Sequence, residues 1–163
     1  MWASLVVVAH VLSVFWLVGG VIGRDTCWGR AAHADELGSL ETIAGLAAVF
    51  DRVMVRPATF VVLLTGLGAA WSRGWPILGL FQGGTANWVL AALLVYLSII
   101  PVIVFVFLPR GLAYRKALEE AKARGTVTPE LRATIRDPAV GAARGYEMAM
   151  ISVLAWLMIA KPF

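Results

Sequence analysis

Apolar positions gather into four long runs, roughly 2–23, 53–71, 87–108 and 139–160, with the polar positions crowded between them. A bilayer core is about 30 Å thick, and a helix that crosses it needs about 20 mostly apolar residues. Each run is near that length. In a chain of 163 residues, four such helices leave little beyond connections. The pattern therefore predicts an all-α integral membrane protein: one transmembrane domain over 1–163, an up-down four-helix bundle with cytoplasmic helical extensions. Mean hydropathy of +0.82 and 60% hydrophobic residues agree.

The connections differ sharply in charge. The first carries Arg24, Arg30, Arg52 and Arg56; the third carries Arg110, Arg115, Lys116, Lys122, Arg124, Arg132 and Arg136; the second carries Arg73. Basic residues flank the cytoplasmic ends of spans, so connections one and three are expected inside, with the second connection and both termini outside. The net charge of +4 and a pI near 9.7 then read as a topology signal rather than a nucleic-acid footprint. Attraction to anionic lipid heads is a second effect. The first run has no basic leader and is too long for a signal peptide's core, so it reads as a retained helix. Cys27 is the one cysteine, which leaves no internal disulfide, and it reads as an inert reduced thiol.

Finer periodicity fills in the connections. Residues 39–54 place Leu40, Ile43, Ala47, Phe50 and Met54 at helical spacing, predicting an amphipathic helix on the inner membrane surface that leads into span two. Ser39 is the expected cap. Arg52 and Arg56 are placed to snorkel, and Pro57 to bend the helix or start a new one. Residues 112–124 read as a solvated charged helix ended by Gly125, and Thr128-Pro129 and Asp137-Pro138 read as two further helix starts. The second connection, 72–86, is glycine-rich and apolar, bracketed by Trp71, Trp75, Phe81 and Trp88. It reads as an interfacial aromatic belt or as a lid.

Ionisable groups inside a span are the first functional candidates. Three qualify: His10, Arg144 and Glu147. At about 1.5 Å rise per residue, His10 lies about 12 Å, Tyr96 and Ser152 about 13 Å and Thr65 about 9 Å below the outer ends of their helices. These four form one expected polar layer, with His10 as an axial ligand to haem b or a proton carrier and Tyr96 or Ser152 steadying its ring. The plainer reading is a histidine hydrogen-bonded between packed helices. For a second axial ligand the spans offer Met148, Met150 and Met158, or His10 of a second copy; His33 reads as solvated. Nearer the inner boundary, Arg56, Arg144 and Glu147 fall at similar depth and form an expected ion cluster. It reads as charge neutralisation or as an anion or transport site. Gly141 and Gly145 have the small-residue spacing of close helix pairing, within the bundle or in a homo-oligomer or larger complex. The sequence shows no cysteine cluster for a metal, no phosphate-cradling loop and no nucleophile triad.

His10 followed by Trp16 and the pair Gly19-Gly20, together with Arg56-Pro57 and Thr65-Gly66, resembles an uncharacterised bacterial family of predicted four-helix integral membrane proteins, across nearly the whole chain. More distantly the His10 segment is similar to the HemJ-type protoporphyrinogen oxidases and the CopD-type copper-resistance membrane proteins. The HemJ resemblance implies a first-helix histidine linked to haem; span three here has no lysine. The expected function is a small membrane protein binding haem b or porphyrin at His10, in redox chemistry or as a subunit of a redox complex. The alternatives are a non-catalytic accessory subunit and a small transporter using Glu147.

Overall fold

The computed structural model describes residues 2–83 and 87–162, and every regular element among them is helical. Residues 84–86 of the second connection lie outside the described residues. The α-helices are α1 (Trp2–Ala31), α2 (Leu37–Val49), α3 (Arg56–Ser72), α4 (Trp88–Leu97), α5 (Ile99–Val102), α6 (Leu108–Arg124), α7 (Pro129–Ile135) and α8 (Pro138–Ala160). Four stretches are long and apolar enough to cross a membrane: Trp2–Ala31, Leu37–Ser72, Trp88–Arg124 and Pro129–Ala160. Their outer faces carry exposed Leu12, Phe15, Phe60, Leu64, Phe105 and Ile159. Water would penalise such a surface, and a bilayer solvates it.

Two of the rods run past the expected boundaries without stopping. Leu37–Ser72 covers 36 residues and Trp88–Arg124 covers 37. Pro57 and Pro109 fall inside them, and neither breaks its rod. Each is preceded by a π-helical stretch, Phe50–Val55 and Ile103–Phe107. A proline has no N–H and its ring crowds the carbonyl four residues back. Widening the helix lets the N–H just before the proline reach one residue further: Arg56 N–H donates to Asp51, and Leu108 N–H to Ile103. The carbonyl opposite Pro109 accepts from Arg110 Nη1 at 3.5 Å. Near Pro101 the rod has a turn at Ser98, whose hydroxyl donates to the Val95 carbonyl at 2.5 Å.

The spans pack as two pairs, α1 on α3 and α4 on α8. Gly20 lets α1 approach closely, because a Cβ there would sit 2.7 Å from Met54 Cβ and 3.2 Å from the Val55 nitrogen. Leu17, Val21, Val55, Ala58 and Val62 form the α1–α3 core, and Tyr96, Met148 and Ile151 close over it from the other pair. At the end nearest the second connection, Trp75 meets Trp88 edge-on with centroids 4.9 Å apart. Lys161 Nζ sits 4.5 Å from the Trp75 ring centroid.

The opposite end extends into a helical cap with its own core of Leu40, Ala117, Ala121, Leu131 and Ile135, backed by Trp28 and Tyr114. This corrects two expectations. Residues 112–124 are not solvated all round, since Ala117 and Ala121 bury one face. The 39–54 helix starts at Leu37, with Glu36 rather than Ser39 at its N-cap, and docks on α1 and into the cap instead of lying on a surface. The other helix signals match. Thr128 accepts from Leu131 N–H, Asp137 accepts from Ala139 N–H, and Gly125 ends α6 at φ +70°. Arg136 Nη2 donates to the Ala32 carbonyl at 2.8 Å, tying α7 to the end of α1.

Candidate functional site

The first site is a small polar island in the α1–α3 interface. His10 is 8% exposed. Its Nδ1 lies 3.2 Å from Thr65 Oγ1, and Ser13 Oγ lies 3.2 Å from the same oxygen. Gly66 makes room for the ring, because a Cβ there would stand 3.0 Å from His10 Cε1. Donor counting assigns the tautomer. Thr65 has one hydroxyl proton and donates it to the Val61 carbonyl at 2.6 Å. Ser13 donates its own to the His10 carbonyl at 2.7 Å. The remaining proton on the His10–Thr65 contact is therefore on Nδ1, which donates to Thr65. Nε2 is left with a bare lone pair, and it is buried without a hydrogen-bond partner. Thr65 also lines a shallow apolar groove between α1 and α3, with Val6, Ala9, Leu64 and Gly68, that opens toward lipid.

Of the expected polar layer, Thr65 meets His10. Tyr96 and Ser152 do not hydrogen-bond to it. Tyr96 donates to the Thr59 carbonyl at 2.5 Å, linking α4 to α3, and Ser152 donates to the Met148 carbonyl on its own helix. Equal depth does not fix the direction in which a side chain leaves its helix.

The second site is an ionic cluster where the bundle meets the cap. Arg24 is its hub. Its Nη2 donates to Glu147 Oε2 at 2.5 Å, its Nε donates to Asp25 Oδ1 at 3.0 Å, and its Nη1 lies 3.8 Å from Asp51 Oδ1. Asp51 also accepts from Arg56 Nε at 2.7 Å, and Arg144 Nε lies 3.8 Å from Asp25. Arg24 lies over the Phe107 ring and Arg144 over the Trp28 ring, at 6.0 and 5.3 Å. The three arginines and three carboxylates balance in charge, as burial requires.

This alters the expected triad of Arg56, Arg144 and Glu147. Glu147 pairs with Arg24, while Arg56 turns outward with its side chain 69% exposed. Arg144 joins through Asp25. Arg24 escaped sequence reasoning because the apolar run was taken to end at Gly23. The available signal was spacing: Arg24 follows His10 by 14 residues, close to four turns, and so shares its face.

No curated protein and no solved structure matches this chain. Neither comparison shows the expected likeness to the HemJ and CopD types. A family model described as a predicted integral membrane protein (DUF2269) matches residues 4–162. Four apolar crossings, two packed pairs and a match over nearly the whole chain lead to one conclusion: the protein belongs to this family of predicted integral membrane proteins.

Proposed function

We propose that His10 is the functional centre, an axial ligand to haem b in a small membrane protein that works in redox chemistry or as a subunit of a redox complex. In this reading the cap is cytoplasmic and both termini are outside, following the basic connections. One arrangement carries it: a buried imidazole whose Nδ1, assigned the ring proton by donor counting, lies 3.2 Å from Thr65 Oγ1, while Nε2 is buried without a hydrogen-bond partner. Histidines that bind metal are commonly fixed this way, with the second nitrogen donating to an oxygen that sets tautomer and ring orientation. The donor set fits haem in that respect, with His10 as ligand and Thr65 orienting it. Bound haem would supply one-electron chemistry. The chain's own residues orient the imidazole through Thr65 and bury it between α1 and α3.

The test is an absorption spectrum of protein produced with ample haem supply. A Soret band is expected, lost in His10→Ala and weakened in Thr65→Val, while circular dichroism shows both variants folded. Folded wild-type protein without the band would overturn the reading.

A second reading is an accessory subunit that packs against a larger membrane assembly. Its supporting observation is the exposed small-residue face of α8. Gly141, Ala142, Gly145 and Ala149 are uncovered, and nothing lies within 4 Å of a Cβ built at Gly141 or Gly145. A partner that stays bound through purification, in the absence of a Soret band, would favour it. The transporter reading loses its free carboxylate, since Glu147 is committed to Arg24.

A further inference from the structure

One stripe of the α3 rod faces away from the bundle: Val53, Phe60 and Leu64 are 56%, 68% and 68% exposed. Arg56 sits between Val53 and Phe60 in the same 3–4 spacing, with its side chain 69% exposed. Arg52 is also exposed and makes no ion pair or hydrogen bond among the described residues. A guanidinium on a lipid-facing stripe needs an anionic partner or water.

Depth decides which partner is within reach. From Ser72, at the far end of the rod, about 30 Å of hydrocarbon ends near residue 52. Arg52 therefore stands at the edge of the hydrocarbon, and Arg56 lies about 6 Å inside it, within reach of the boundary by snorkelling. Asp51 satisfies Arg56 Nε and leaves its two terminal nitrogens free. No carboxylate faces Arg52. The pair thus presents several guanidinium N–H donors at phosphate level, directly below an apolar strip formed by Phe60 and Leu64.

We propose that Arg52 and Arg56 form a binding site for an anionic phospholipid. The phosphate of the headgroup lies between the two guanidiniums, and an acyl chain runs along Phe60 and Leu64. Bidentate Arg–phosphate hydrogen bonding supplies the selectivity for an anionic head. The apolar strip supplies the reason for a lipid rather than a free anion. The site is independent of any cofactor at His10.

The experiment is native mass spectrometry of the purified protein titrated with phosphatidylglycerol or phosphatidylcholine. Phosphatidylglycerol is expected to bind preferentially. At roughly one fivefold step per arginine near the surface, Arg52→Gln should weaken it about fivefold and the double Arg52→Gln/Arg56→Gln variant about 30-fold. Arg115→Gln/Lys116→Gln, which removes two exposed cap charges, should leave affinity unchanged. Equal binding of phosphatidylcholine, an unchanged double variant, or an equal loss in the cap control would each overturn the proposal. So would displacement by millimolar inorganic phosphate, which would mark a simple anion site. If the double variant fails to fold, Arg52→Gln carries the test, because its side chain holds no contact that the fold uses.

Discussion

Removing Glu147 should destabilise the bundle by an amount the Arg24 cluster predicts. Both partners are nearly dry, with side-chain exposures of 11% and 9%. Glu147→Leu strands Arg24 Nη2 and leaves the cluster with one excess positive charge. Breaking a buried pair costs about 3–5 kcal/mol. Arg24 keeps Asp25 at 3.0 Å and Asp51 at 3.8 Å, so the lower end applies, about 3 kcal/mol. At about 2–4 °C per kcal/mol for a chain of this size, the melting temperature in detergent should fall by about 6–12 °C. Glu147→Gln retains an acceptor oxygen and should cost about half as much. Arg24→Leu alone should be the worst, because it leaves Glu147 buried without a partner. The Arg24→Leu/Glu147→Leu double should then be milder than Arg24→Leu. In the double, Asp51 keeps Arg56 and Asp25 keeps Arg144. Thermal unfolding followed by circular dichroism, run as a double-mutant cycle, should give a coupling of about 1–3 kcal/mol. Singles within about 0.5 kcal/mol of wild type, or losses that simply add, would refute the hub assignment.

Gly20→Ala drives a Cβ to 2.7 Å from Met54 Cβ and should cost about 1–3 kcal/mol of stability, whereas Gly145→Ala, with open space around it, should leave the isolated protein's melting temperature unchanged. Topology is testable with single cysteines read by an impermeant thiol reagent on intact cells. A cysteine near Gly83 should label and one near Gly125 should not, with Cys27 silent because it is buried; the reverse pattern would invert the orientation.

The four spans were legible because hydrophobicity is a local property that twenty consecutive residues display together. The cap was less legible. Ala117 and Ala121 carry little apolar signal, and the charges around them made 112–124 look solvated, although those two alanines line the cap core. The helix starts at Thr128 and Asp137 were readable because one side chain and one following proline define each. Site residues divided by the same logic. His10 and Thr65 meet across adjacent helices at matching depth. Tyr96 and Arg56 had suitable depth but the wrong azimuth, and azimuth depends on how each helix is rotated. For Arg56 that rotation follows a π-helical stretch that no propensity pattern announces. Arg24 was hidden by an assumed helix end, since a hydropathy boundary marks where apolar residues stop rather than where the helix does.

The π-helical stretch ahead of Pro57 acts as a coupling of fixed phase between two machines on one shaft. An α-helix turns about 100° per residue, and a π stretch takes up an extra residue within its turn. Upstream, the phase of α2 aims Leu40 into the cap core; downstream, the phase of α3 aims Val62 at α1 and Thr65 at His10. Deleting one residue between 50 and 55 would restore α geometry and keep this phase, whereas inserting one residue into regular α-helix between Leu40 and Thr65 would rotate one half against the other by about 100°. Either the cap or the histidine island would then lose its partners, so the spacing from Leu40 to Thr65 is as much a part of the design as the residues themselves.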